Sequence, residues 1–142
     1  MTAINKENVI YSFKGKWLQP ILDGKVKAFF RKRFPRDKPS RVYFYVGAPT
    51  SAIIGWAEVC DLERIEARAA LGMTAEGAID RIELAEYLEG AETVGVFKLS
   101  PPRIFSSPLS VSDVRRTFNF HPPQNFVQID EEDASKLDGL AK

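Results

Sequence analysis

Arg41-Val42-Tyr43-Phe44-Tyr45-Val46, then Gly47-Ala48-Pro49-Thr50-Ser51, then Ala52-Ile53-Ile54-Gly55-Trp56-Ala57-Glu58-Val59-Cys60 is the stretch that decides the fold. Its two outer runs are nearly all apolar, β-branched or aromatic, the composition of strands covered on both faces. The linker between them is turn-forming and too short for a crossover, so the strands are expected side by side and antiparallel. A parallel α/β sheet would need a helical connection here.

Working outward, residues 9–13 (Val-Ile-Tyr-Ser-Phe) predict a first strand. Residues 16–23 predict a short helix, with Trp17, Leu18, Ile21 and Leu22 at helical spacing and Gly24 as its stop. Pro20 falls near the first turn, where a missing N–H is tolerated. Residues 27–34 predict a strand that ends before Pro35, and residues 35–40 a turn.

Downstream, residues 62–71 predict a helix closed by Gly72, and residues 74–89 a second one, capped by Thr74 and followed by Gly90. Gly77 marks a break in it. Its apolar stripe is expected at Ile79, Ile82, Ala85 and either Leu84 or Leu88, opposite a wet acidic face. A strand over 93–99, an extended loop over 104–110, a short helix capped by Ser112 and a closing strand over 124–129 follow. The acidic tail, 130–142, reads as a weak helix with a fraying end. Mostly antiparallel strands with grouped helices define an α+β class, a curled or barrel-like sheet with flanking helices. One domain is expected over 1–142, with its core at about 9–129.

The 142 residues are 44% hydrophobic and 27% charged, which excludes a disordered or fibrous chain. No apolar run approaches the ~18 residues of a transmembrane helix, so no membrane is expected as a partner. Residues 1–7 are polar and carry no secretory h-region. A lone Cys60 forms no internal disulfide, which fits a reducing, cytoplasmic setting.

The net charge of +1 hides an asymmetry. Residues 1–60 carry eleven Lys and Arg against Glu7, Asp23, Asp37 and Glu58, or +7, and the remainder carries −6. Ten of those cations crowd into 14–41. Segregated charge steers an anionic ligand unless folding interleaves the halves.

Within the basic stretch, Lys27, Phe29, Arg31 and Arg33 share one face of a strand, because side chains alternate with period two. Together with Lys25, they suit the phosphates and one base of single-stranded RNA. The rival reading is an edge strand that its charges protect from aggregation. Trp17, Tyr43 and Tyr45 are candidate base-stacking residues, with the core as the alternative. Glu58 is a candidate for a nucleobase amine, with a salt bridge as the alternative. His121 beside Pro122-Pro123 reads as a loop residue and Cys60 as core. Neither a metal set, a phosphate loop nor a triad is present, so no catalytic residue, metal or cofactor is assigned.

Several ordered segments carry a family resemblance. They are Lys16-Trp17-Leu18-Gln19-Pro20-Ile21-Leu22-Asp23-Gly24-Lys25, Phe30-Arg31-Lys32-Arg33-Phe34-Pro35, Arg41-Val42-Tyr43-Phe44-Tyr45 and Ile53-Ile54-Gly55-Trp56-Ala57-Glu58-Val59. Farther on come Leu84-Ala85-Glu86-Tyr87-Leu88-Glu89-Gly90 and Phe120-His121-Pro122-Pro123-Gln124-Asn125-Phe126. In this order they resemble the ASCH branch of the PUA-like superfamily, over roughly 9–129. The resemblance implies a PUA-like barrel and a domain that handles RNA or nucleosides.

The family's turn is Gly-x-Lys-x-x-Glu/Thr-x-Arg. Aligning Gly24 and Arg31 puts Val26 at the lysine and Phe29 at the acid or hydroxyl. Members that act as amidohydrolases on acylated cytidine use those two groups with a downstream Glu. A lysine serves as base or nucleophile only when its pKa is pulled down and a neighbour positions it.

The expected function is therefore non-catalytic, the binding of RNA, a nucleotide or a modified nucleoside in a basic cleft. One alternative is an ASCH-type hydrolase, a ribonuclease or nucleoside amidohydrolase, with Lys25 or Lys27 and Glu58 in shifted roles. Another is a regulatory domain whose acidic helices bind a protein partner. Acylated cytidine should not be hydrolysed above background in a product-release assay. Turnover that Lys25→Ala or Lys27→Ala abolishes would show instead that a shifted lysine acts.

Overall fold

A computed structural model of the chain describes residues 7–141; Lys6 and the rest of the polar segment 1–6 lie outside the described residues, as does Lys142. The decisive pair forms as expected. β3 (Arg41–Val46) and β4 (Ala52–Glu66) are antiparallel neighbours, with Arg41 opposite Glu58 and Val46 opposite Ala52. β1 (Asn8–Phe13) lies on the other side of β3 and runs parallel to it.

β4 is longer than the sequence suggests, and this overturns the helix expected over 62–71. Its first half pairs with β3, and its second half, through Glu66, pairs with β5 (Thr93–Leu99). The register slips between Val59 and Asp61, leaving Cys60 as an extra residue on the bulge. A bulge bends a strand, so one strand serves both parts of a curled sheet. The ladder to β5 overrides local helix propensity, and helix is confined to α2 (Ala67–Ala70) with a 3-10 turn after it. Cys60, expected in the core, is exposed because the bulge turns it outward.

The short helix of 16–23 appears as a 3-10 turn at Gly15–Trp17 running into α1 (Leu18–Leu22), and Gly24 follows at φ 70°. The expected break at Gly77 also appears. α3 (Thr74–Gly77) ends there, Ala78 adopts φ 51°, and α4 (Arg81–Leu88) restarts from Asp80, which accepts from the amides of Ile82 and Glu83. A Cβ at position 77 would lie 2.6 Å from the Phe30 ring, so glycine lets α3 press onto the sheet. On α4 the buried positions are Leu84 and Leu88, while Ile82 and Ala85 face out.

The loop expected over 104–110 is strand β6 (Arg103–Ser110), paired with the first half of β4. Gly55 permits the approach, since a Cβ there would lie 2.2 Å from the Arg103 carbonyl oxygen. α5 (Val111–Arg115) is capped by Ser110, not Ser112, in a reciprocal box with Asp113. β7 (Phe126–Ile129) runs antiparallel to β1. The acidic tail forms the expected helix and docks on the sheet. This is α6 (Glu131–Leu140), whose Ala134 and Leu137 are fully buried beside Ile10 and Tyr43.

β2 (Ala28–Arg31) pairs with β5, so the sheet order is β2-β5-β4-β3-β1-β7, with β6 also on β4. The seven strands are mostly antiparallel, and the outermost strands of the order, β2 and β7, share no ladder, so the sheet is not a closed barrel. Its concave side holds Val9, Tyr11, Phe13, Phe29, Phe44 and Phe97. α5 and α6 cover one outer face and α2 to α4 another. Among the described residues no helix is long and apolar enough to cross a membrane.

Two truncations test these placements. Phe29→Ala removes a ring packed on Tyr11, Phe13 and Phe97 and should cost about 3–5 kcal/mol in urea unfolding. Leu137→Ala should cost about 2–5 kcal/mol. An unchanged midpoint for the second would mean that α6 does not dock.

Candidate nucleic-acid interface

Of the ten cations between positions 14 and 41, two pair with carboxylates among the described residues: Lys16 with Glu83 and Arg41 with Asp138. Folding therefore leaves most of the basic half without direct neutralisation.

Part of that charge lines an open cleft of about 510 Å3, formed by Lys32, Arg33, Tyr87, Gln124 and Asn125. Three remote segments meet there. Lys32 and Arg33 follow the last residue of β2, where strand alternation stops, so consecutive side chains reach the same cleft. Tyr87 comes from α4, and its hydroxyl oxygen accepts a bond from the Lys32 amide at 3.0 Å. The Lys32 ammonium lies 4.7 Å from the centroid of that ring. Gln124 and Asn125 precede β7 and are held from β1: the Ser12 hydroxyl donates to the Pro123 carbonyl at 2.6 Å, and the Ser12 amide to the Asn125 carbonyl at 3.5 Å.

Arg31 is half-buried at the seam where edge strand β2 faces the end of β1. Its guanidinium carbon sits 4.6, 5.0 and 5.4 Å from the ring centroids of Phe13, Phe29 and Tyr11. Nη1 donates to the Phe30 carbonyl at 2.8 Å and Nη2 to the Ser12 carbonyl at 3.3 Å. Across the same seam the Tyr11 hydroxyl donates to the Arg33 carbonyl at 2.9 Å. Burial pushes the Tyr11 phenol well above its ordinary value, so it stays a donor at neutral pH. Burial lowers Arg31, with Tyr87 and Tyr11 opposing the shift. A guanidinium nevertheless stays charged in proteins. Among the described residues no carboxylate pairs with Arg31.

The residues picked from sequence do not form one face. Lys25 and Lys27 precede β2 and line a second pocket, of about 410 Å3, with Ala75, Glu76 and Ala78. Arg33 lies in the first cleft, and Arg31 turns inward to the rings. Phe29 is no exposed stacking platform; it is 4% accessible and lies parallel to Phe97 at 4.5 Å. Tyr43 is fully buried, donates to Asp138 at 3.0 Å, and burial raises its pKa. Tyr45 is buried edge-on against Phe120. Neither tyrosine offers a free face, because both point under α5 and α6.

Trp17 is half-buried, with the Lys16 ammonium 5.5 Å from its ring. Glu58 is exposed; its cross-strand neighbour Arg41 turns instead to Asp138 and to the Trp56 ring, 3.9 Å away. His121 is an exposed loop residue beside Arg115, at 2.8 Å. Sequence reasoning missed Lys32, Tyr87, Gln124 and Asn125 as site residues. A signal existed, since segments 84–90 and 120–126 were among those carrying the family resemblance.

No protein-family profile matches the chain. An ASCH domain-containing ribonuclease of Zymomonas mobilis subsp. mobilis is 24% identical over 144 residues, covering 99% of this chain and 97% of that protein. The crystal structure of ASCH from Zymomonas mobilis superposes with a TM-score of 0.86 at 23% identity, covering 96% of each chain. The YTH domain of a Zygosaccharomyces rouxii protein, in complex with N6-methyladenosine RNA, matches with a TM-score of 0.50 at 11% identity, covering 100% of this chain and 92% of the other.

The seam makes a prediction of its own. Arg31→Lys keeps the charge but loses the planar fork that reaches two carbonyls, so urea stability should drop by roughly 2 kcal/mol. An unchanged midpoint would show that the seam is held by Tyr11 alone.

Proposed function

This chain has the ASCH fold, and from that premise we propose that it binds RNA, or a nucleotide, in the cleft of Lys32, Arg33, Tyr87, Gln124 and Asn125. The observation that carries this is the lining itself: two cations with no carboxylate partner among the described residues, an aromatic ring and two amides. Lys32 and Arg33 would take phosphate oxygens as charge-assisted hydrogen bonds. Tyr87, 36% exposed, presents a ring on which a base can stack. The amides of Gln124 and Asn125 each carry donor and acceptor groups for a base edge.

Binding is favoured over catalysis by what the lining can do with protons. Cleavage of RNA without a metal needs a base for the 2′-hydroxyl and an acid for the leaving oxygen. The lining holds no histidine and no carboxylic acid to fill those two roles. The ribonuclease reading is kept as the second one because the Zymomonas relative bears that name and aligns over almost its whole length.

Titration of single-stranded RNA across a salt series tests the proposal. Lys32→Ala and Arg33→Ala should each weaken binding to unrelated sequences alike and flatten the log–log slope by about 0.7. Tyr87→Ala should cost about 1–3 kcal/mol and leave the slope unchanged. Without salt-sensitive binding by the wild type, the cleft reading falls. Strand scission in chelator, abolished by Lys32→Ala, would install the ribonuclease reading in its place.

A further inference from the structure

The pocket of Lys25 and Lys27 is separate from the cleft yet shares its walls. Lys27 lies just before β2, and Lys32 just past its end. Five residues of nearly extended chain, at about 3.3 Å each, put the two some 16 Å apart. The helical wall runs the same way. Glu76, at the end of α3, lines the Lys27 pocket, and Tyr87, at the end of α4, lines the Lys32 cleft.

Both ends of this path are fixed by backbone bonds. The Lys27 amide donates to the Glu76 carbonyl at 2.8 Å, and the Lys27 carbonyl accepts from Leu99 at 2.9 Å. At the far end the Lys32 amide is held by Tyr87. Lys25 and Lys27 have no carboxylate partner among the described residues, so their pocket stays positive with Glu76 on its rim.

One ion pair is made by α4, the second of these helices. Lys16, from the turn before α1, reaches over to Glu83 of α4, one helical turn ahead of Tyr87. Both side chains are solvated, at 53% and 38% exposure, so the pair contributes little to stability and opens at small cost. Glu83 thereby engages a cation that would otherwise be open to an anionic ligand.

We infer that the Lys25–Lys27 pocket is a second phosphate subsite, and that one RNA strand runs from it along the α3–α4 wall to the Lys32–Arg33 cleft. The ligand class is then an oligoribonucleotide and not a mononucleotide. A stacked strand rises about 3.4 Å per nucleotide, so about five nucleotides join the two ends. This inference rests on the RNA reading of the cleft and adds a length requirement to it.

The test is a ladder of oligouridylates, from two to ten nucleotides, titrated at low salt. Wild-type affinity should step up roughly tenfold or more near five nucleotides, where the second contact becomes intramolecular. In Lys25→Ala/Lys27→Ala the step should vanish while affinity for two- and three-nucleotide strands stays at the wild-type value. In Lys32→Ala/Arg33→Ala the short strands should lose their binding. Glu83→Gln, which frees Lys16, should tighten the long strands alone.

Thermal melts of each variant confirm that the fold is retained, and Lys25→Gln/Lys27→Gln supplies a second neutral pair. If the Lys25/Lys27 variants weaken short and long strands equally, or neither, the second subsite is overturned while the cleft stands. If the wild type binds no strand of any length, the cleft reading itself falls and takes this inference with it.

Discussion

The guanidinium of Arg31 holds together a sheet that its backbone leaves open. β2 is one edge strand of the sheet and pairs with β5 alone, and Arg31 reaches from it to the end of β1 by resting on Tyr11, Phe13 and Phe29 while bonding the Ser12 carbonyl. Taking a cation partly out of water without a carboxylate is costly. Ring contacts worth about 0.5–2 kcal/mol each and two carbonyl bonds offset that cost. The same residue fixes the direction in which the chain leaves β2. Ser12, which takes the Arg31 bond, also anchors the Pro123–Asn125 segment on the other side. Core, seam and cleft therefore share one set of atoms.

Charge is sorted by face. The acidic second half contributes α6, whose Asp138 meets Arg41 at 3.1 Å and Tyr43 at 3.0 Å on the outer side of the sheet. It contributes Glu63 to Lys98 at 3.3 Å and Glu132 to Lys136 along α6. None of these reaches Lys32 or Arg33. The near-zero net charge of the chain says nothing about the potential at the cleft, which is set by which carboxylates the fold directs elsewhere.

The β3–β4 hairpin was legible because burial on both faces and a short Gly/Pro linker agree with each other, and β1, β5 and the break at Gly77 were legible for similar local reasons. The extension of β4 was not. Residues 62–71 have helical composition, and a ladder with a strand some thirty residues away decides their state. β6 was missed likewise, since it needs the bare Gly55 backbone beneath it, and α6 was legible as a helix but not as a docked one, because its partner surface is at Ile10 and Tyr43. At the site, the basic run was visible but its geometry was not. Period-two reasoning assumed a strand through Arg33, and the strand stops at Arg31. Tyr87, Gln124 and Asn125 arrive from distant parts of the chain, where no local pattern links them to Lys32.

β1 lies between β3 and β7, so its second edge is covered by residues near the opposite end of the chain, with Asn8 opposite Ile129 and Tyr11 opposite Phe126. Synthesis proceeds from the N-terminus at about 5–20 residues per second, and β1 waits for its last neighbour until residues 126–129 have emerged. Pairings this distant in sequence are slow to form because loop closure precedes any gain from contact. At that rate the edge of β1 that β7 covers stays unpaired for several seconds of synthesis.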